Sequence, residues 1–290
     1  MAEPLPICYL NGEFQQLREA RVSPLDRAYL FGDSVYEVLP VFGGRMFRFR
    51  EHFDRLARSL NEIRVPSPHT HAQWLEILED LIRRNGGGDM YVYVQVTRGM
   101  EFGRNHTFPD KVTPGVFAMA APSPALTEEQ RTNGLSAITV EDFRWARCDI
   151  KTTALLANVL MKQQAADEGA AEAIIVRDGE VLEGASTSIF VIRDGAIATP
   201  PKSNRILPGT TREVTLEIAD GAMPVTVRRV SIDELRNADE VWMSSATRDV
   251  LPVTRIDGRP VGTGKPGPLW QRMSESFNAL RRRLAGTPAL

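Results

Sequence analysis

Asp149-Ile150-Lys151-Thr152-Thr153 sets a lysine at the end of a strand, just before a helical segment. Thirty-two residues on, Glu183 opens Glu183-Gly184-Ala185-Ser186-Thr187 on the second strand of a hairpin. A lysine amine so placed can condense with an aldehyde, and a strand carboxylate can keep a ring nitrogen protonated. Those are the two groups that pyridoxal phosphate requires. Lysine and glutamate at a single spacing are far more often solvated surface charges, so the pair gains weight only from its surroundings.

Downstream of Lys151 the chain is rich in hairpins. Asp178-Gly179, Asp194-Gly195 and Asp257-Gly258 each lie between apolar, β-branched runs such as 173–176 and 189–192. Asp-Gly in that setting is a strong two-residue turn signal, because both residues tolerate positive φ. Helices are predicted over 211–219 and near 268–283. The pattern predicts a β-rich, barrel-like domain decorated with helices, not regular βαβ repeats.

Upstream, strands alternate with helices. Phe42-Gly43-Gly44-Arg45 predicts a tight hairpin between 38–41 and 46–49. Phe53, Leu56, Leu60 and Ile63 recur at helical spacing over 51–63, and a second helix is predicted over 72–84, ended by Asn85-Gly86-Gly87-Gly88. Val92, Val94 and Val96 alternate with Tyr91, Tyr93 and Gln95, which predicts a strand over 91–97. The proline-bearing stretch 121–131 is expected to link a small N-terminal domain, 1–120, to a larger domain, 132–290.

The composition excludes several classes. The 290 residues carry 42% hydrophobic and 25% charged side chains with a formal net charge of −2, so no polyanion partner such as nucleic acid is implied. Arg281-Arg282-Arg283 is expected to be a solvated helix face. Cys8 and Cys148, the only cysteines, form neither a disulfide framework nor a metal-ligand spacing. No apolar stretch approaches membrane-spanning length and no leader-like N-terminus is seen, so a cytoplasmic protein without a membrane segment is expected.

Two loops stand out. Leu207-Pro208-Gly209-Thr210-Thr211-Arg212-Glu213 predicts a glycine turn and a capping box between Thr210 and Glu213, with a helix N-terminus suited to an anion. Ser244-Ser245-Ala246-Thr247 follows an apolar strand and offers further donors. Arg98-Gly99-Met100-Glu101-Phe102-Gly103-Arg104-Asn105-His106 places an arginine and a histidine two residues apart, a spacing able to grip one carboxylate. Tyr36 can add a hydrogen bond there, although a tyrosine in an apolar run more often belongs to a core.

Taken in order, Asp26 to Glu37, Glu51-His52-Phe53-Asp54-Arg55-Leu56, Arg147 to Lys151, Glu183 to Ser186 and Leu207 to Arg212 resemble the motifs of class IV aminotransferases, the fold-type IV pyridoxal phosphate enzymes. The resemblance spans about residues 8–280, and five motifs in register are far more specific than any one. It implies an α+β chain with a smaller N-terminal α/β-sandwich domain and a larger C-terminal pseudo-barrel domain. Val94 to Gly99 followed by Arg104-Asn105-His106 resembles the D-amino acid aminotransferases most.

Residue by residue, the resemblance implies Lys151 as the catalytic lysine that holds the cofactor and Glu183 as partner of the pyridine nitrogen. It implies Arg55, Thr210 and Thr211 at the phosphate, Leu207 against the ring, and Ser186 among the substrate contacts. Tyr36, Arg104 and His106 would form a carboxylate trap, the latter two reaching across from the second subunit of a homodimer. Two positions depart from the pattern. Pro40 stands where a basic residue is frequent, and Ala246 stands where a threonine is common, so that its contact is expected from a backbone amide or from Thr247.

Transamination between a D-amino acid such as D-alanine and a 2-oxo acid such as 2-oxoglutarate is therefore expected. A branched-chain L-amino acid or (R)-amine aminotransferase, an aminodeoxychorismate lyase and a non-catalytic cofactor-binding protein remain open. The Arg104-x-His106 pair argues against the lyase, and intact Lys151 and Glu183 argue against the last.

Overall fold

The computed structural model describes residues 3–124 and 126–286. It forms two compact units: one comprises 3–124, Ile150–Ala154 and 281–286, the other 126–149 and Leu155–Leu280. The five residues around Lys151 thus belong with the N-terminal segment, although a single cut at 121–131 would assign them to the second domain. The reason is hydrogen bonding: Tyr36 N–H donates to Lys151 O at 2.9 Å, and Thr153 N–H donates to Ser34 O at 3.1 Å.

The first unit is built on a six-stranded antiparallel sheet. Its strands are β1 (Ile7–Leu10), β2 (Glu13–Gln16), β3 (Ser34–Phe42), β4 (Arg45–Met46), β5 (Met90–Thr97) and β6 (Gly115–Pro122), in the order β2-β1-β6-β5-β3-β4. Gly43 and Gly44 both take positive φ, 57° and 82°, as the two-residue turn between β3 and β4 demands. The short α1 (Arg27–Phe31) precedes β3, and α2 (Phe49–Glu62) and α3 (His71–Arg84) bury their apolar stripes with the sheet. Phe53, Leu56 and Leu60 from α2 and Trp74, Leu78 and Leu81 from α3 join Val92, Val94 and Val96 in one core. A capping box between Thr70 and Gln73 starts α3.

The second unit holds a ten-stranded mixed sheet that curls into a half-barrel. After α4 (Glu128–Asn133) come β7 (Leu135–Glu141), α5 (Leu156–Asp167), β8 (Glu172–Arg177), β9 (Glu180–Gly184), β10 (Ser188–Arg193), β11 (Ala196–Thr199) and α6 (Thr210–Ala219). They are followed by β12 (Val225–Val227), β13 (Val230–Ser231), α7 (Ile232–Arg236), β14 (Glu240–Ser245), β15 (Asp249–Ile256), β16 (Arg259–Pro260) and α8 (Pro268–Gly286). All three Asp-Gly pairs adopt positive φ at both residues and turn β8 into β9, β10 into β11 and β15 into β16. β7, α5 and β8 form one parallel crossover, and β7 also runs parallel to β15.

The first segment of the first unit ends at Pro124, inside the expected linker 121–131, into which β6 runs as far as Pro122 and in which α4 begins at Glu128. Two expectations are corrected. The N-cap of α6 is Gly209, with no side-chain cap, so Thr210 is the first helical residue and the Thr210–Glu213 capping box does not form. Glu213 is drawn instead to Lys202 at 2.8 Å and to Arg212 at 2.6 Å. Arg281 is not simply solvated, since its guanidinium lies 4.8 Å from the Phe42 ring centre and gains a cation–π contact there.

Candidate functional site

In the first unit β3 sets the geometry. Alternation along it sends Val35, Glu37, Leu39 and Val41 inward, so Glu37 is fully buried among apolar neighbours. Its carboxylate is met from α2 by His52 and Arg55, which share one helix face at three-residue spacing. Arg55 Nε donates to Glu37 Oε1 at 2.7 Å and Nη2 donates to Oε2 at 2.8 Å, while His52 Nδ1 lies 2.7 Å from Oε2. Burial alone would raise the Glu37 pKa, but the Arg55 and His52 contacts overcome it and hold the carboxyl well below the usual range. Burial lowers the His52 pKa, against the pull of Glu37. Arg55 is therefore no surface residue but half of a bidentate pair.

The preceding residue of β3, Tyr36, faces the other way. The Lys151 Nζ lies 4.1 Å from the centre of its ring, and the ring stacks on Tyr93 at 5.5 Å. Burial, with Tyr36 alongside, pushes the Tyr93 hydroxyl pKa well up, and that hydroxyl donates to Gln95 at 2.9 Å. Lys151 is fixed through its backbone, since its carbonyl takes the Tyr36 N–H and its own N–H reaches Ser59 Oγ at 3.4 Å. The side chain is left to a half-buried setting suited to a reacting amine.

Arg104 and His106 lie on the exposed loop after β5. Both meet Phe31: the Arg104 guanidinium is 5.0 Å and the His106 ring 5.3 Å from its ring centre. The structure thus brings this pair together, and brings Lys151 to Tyr36. No contact of Tyr36 with Arg104 or His106 is seen among the described residues.

In the second unit the centre is Glu183 on β9. One carboxylate oxygen accepts from Arg144 Nη1 at 2.5 Å and the other from the Leu207 N–H at 3.0 Å. Arg144 is itself held by Asp142, at 3.0 and 3.1 Å, and by the carbonyl of Arg205. Burial raises the Glu183 pKa, Arg144 and the Leu207 N–H partly offset it, and the result is about 7. Leu207 is half-buried and Ser186 turns its hydroxyl to buried Glu172 at 3.0 Å.

Past Leu207, α6 begins with Gly209 as N-cap, and no side chain caps its first turn, which starts at half-buried Thr210 and buried Thr211. A Cβ at Gly209 would lie 2.7 Å from Ser188 Oγ on β10, so a larger residue there would displace that hydroxyl or the start of α6. α6 packs on β14, near whose end Ser244 Oγ is buried without a hydrogen-bond partner among the described residues. Thr247 follows, half-buried. An uncapped helix N-terminus and a spare hydroxyl are donors arranged for an anion.

Sequence reasoning passed over Glu37, His52 and Arg144. For Glu37 a signal existed: a charged residue in the inward register of a strand needs a buried partner, and His52 and Arg55 lie one helix face away. Arg144 had none, because its link to Glu183 joins segments 39 residues apart.

Comparison with known proteins agrees with this chemistry. The family model for amino-transferase class IV matches residues 34–256. The D-alanine aminotransferase of Staphylococcus haemolyticus is 42% identical over 271 residues, 93% of this chain and 96% of that protein. Among solved structures, the branched-chain amino acid aminotransferase of Escherichia coli superposes with a TM-score of 0.89 at 28% identity, covering 95% of this chain and 94% of that one. The T.th. branched-chain amino acid aminotransferase with pyridoxamine 5'-phosphate gives 0.88 at 30%, covering 97% and 95%. The chain belongs to the class IV aminotransferases, fold-type IV enzymes that depend on pyridoxal phosphate.

Proposed function

We propose that this enzyme transfers the amino group of a D-amino acid, with D-alanine the first to test, to a 2-oxo acid such as 2-oxoglutarate. The observation that carries the reading is the likeness to D-alanine aminotransferases along 93% of the chain. The pairing of Arg104 and His106 around Phe31 supports it, because two cationic or hydrogen-bonding groups on one loop suit a substrate carboxylate.

The donor chemistry fits pyridoxal phosphate. A half-buried lysine amine, a buried carboxyl whose pKa burial raises, and an uncapped helix N-terminus in an element that packs on the strand of an unpartnered serine suit an aldehyde, a pyridine nitrogen and a phosphate in turn. Bound, the cofactor supplies an aldehyde that takes up the amino group and a ring that accepts the electrons released at Cα.

Lys151 is the residue we assign to hold the cofactor and then to carry the proton from the substrate Cα. Glu183, oriented by Arg144 and the Leu207 N–H, would hold the pyridine nitrogen of the bound cofactor protonated, and Leu207 is assigned to the ring. Thr210, Thr211 and Thr247 are assigned to the phosphate, with Arg55 held in place by Glu37. Tyr36 and Ser186 complete the substrate contacts. Arg104 and His106 are assigned to the neighbouring active site of a homodimer. The two cysteines are free and buried, which fits a cytoplasmic enzyme, and no helix among the described residues is long and apolar enough to cross a membrane.

The test is purified enzyme with 2-oxoglutarate and either D-alanine or L-leucine. Pyruvate formed from D-alanine, in excess over turnover of L-leucine, is expected. Preference for L-leucine would overturn the D-specific reading and leave the family chemistry standing.

A further inference from the structure

The loop that carries Arg104 and His106 is anchored by a buried arginine that the chemistry above does not use. Arg27, 3% exposed at the start of α1, donates from Nε to Asp33 Oδ2 at 2.9 Å. Its Nη1 donates to Glu101 Oε2 at 3.0 Å and to the Asn105 carbonyl at 2.7 Å. Asn105 is the residue between Arg104 and His106. The Arg27 N–H also holds the Gly99 carbonyl at 2.9 Å, where the loop leaves β5.

Behind Arg27 the support is rigid. Asp33 is shared with Arg98, whose Nε and Nη2 reach its two oxygens at 2.7 and 2.9 Å. Arg98 in turn bonds the Ile63 and Arg64 carbonyls at the end of α2. In front, the Arg27 guanidinium lies 4.7 Å from the Phe31 ring centre, the same ring that Arg104 and His106 meet. A surface arginine would not need this. A buried guanidinium that bonds a loop carbonyl and a loop carboxylate at once fixes that loop relative to α1.

We propose that Arg27, backed by Asp33, is a positioning residue for substrate binding. It sets the loop from Gly99 to His106, and with Phe31 it fixes the directions of Arg104 and His106, so that its effect on turnover runs through those two side chains. This inference rests on the proposed contact of Arg104 and His106 with the substrate carboxylate.

The test is a double-mutant cycle with a second readout that needs no turnover. Arg27→Met removes the donors while keeping an unbranched apolar stem. The KM for D-alanine is expected to rise about tenfold or more, with a smaller change in kcat, since loss of charged hydrogen bonds typically costs that much. In the Arg104→Ala background the same change should cost clearly less than in wild type, because only the part of its effect that runs through His106 remains. Trypsin should cut after Arg104 faster in Arg27→Met than in wild type, read by mass spectrometry on the whole holoenzyme. Where Arg27→Met does not fold, Glu101→Ala frees one of the two loop contacts and leaves the Arg27–Asp33 pair intact, and the same pattern is expected at smaller size. Fully additive losses in the cycle, or an unchanged rate of cleavage after Arg104, would overturn the proposal. If Arg104→Ala itself leaves the D-alanine KM unchanged, the carboxylate contact fails instead, and the cleavage rate still judges the anchor.

Discussion

At the scale of single residues, the proposed assignment divides the cofactor's needs between Glu183, at the pyridine nitrogen, and Lys151, at the aldehyde. Lys151→Ala is expected to lower transamination by about 10⁴-fold or more, since the attachment point and the proton carrier vanish together. The measurement is steady-state turnover with absorbance of retained cofactor, and near-normal turnover would remove Lys151 from its role. Glu183→Gln should keep the cofactor bound but slow exchange of the substrate α-hydrogen by about tenfold to a thousandfold, because a neutral amide stabilises a charged ring poorly. Loss of deuterium from Cα-labelled D-alanine reports that step. Glu183 also makes a stability prediction. Its folded pKa is raised from 4.5 to about 7 by burial, so the unfolded chain gives up this proton first as pH rises. The contribution is complete below about pH 4.5 and is lost as pH climbs through about 7, a change on the order of 3 kcal/mol. The Tm of the cofactor-free enzyme should therefore fall over that window, and Glu183→Gln should flatten the fall. A Tm profile identical in both proteins would refute it.

At the scale of elements, the β10–α6 contact is where a small change should reach the cofactor. Gly209→Ala puts a methyl 2.7 Å from Ser188 Oγ while φ stays at an ordinary −69°, so the strain is steric and not conformational. Cofactor Kd is expected to rise about tenfold for a shift of a few tenths of an ångström at the helix N-terminus, and Ser188→Ala in the same chain should recover most of it. Fluorescence titration of the cofactor-free protein measures both. Most elements were legible in the chain: apolar spacing marked α2, α3 and β5, and glycine-bearing turns marked the hairpins. The start of α6 was misread because Thr-x-x-Glu fits a capping box on paper. In the fold α6 starts directly after Gly209, which has no side chain to cap it, and the first turn stays open.

At the scale of the molecule, the assignment of Arg104 and His106 to a neighbouring subunit has a direct check. If each active site takes Lys151 from one chain and Arg104 from another, mixing Lys151→Ala with Arg104→Ala should restore activity up to about a quarter of the wild-type value after subunit exchange, the share expected from statistical pairing of sites. Activity that stays at the sum of the two parents would place both residues in one chain.

The sequence by itself determined the class of chemistry, because a lysine, a glutamate and their flanking motifs are local patterns that survive without coordinates. It determined most elements for the same reason, since periodicity and turn preference act over a few residues. Only the tertiary structure decided what each charge is paired with. Glu37 meets Arg55 and His52 across 18 and 15 residues, Arg144 meets Glu183 across 39, and Arg27 reaches Asn105 across 78. A buried charge must find a partner somewhere, but the partner is chosen by how sheets and helices pack, and that choice carries no short-range signature in the chain.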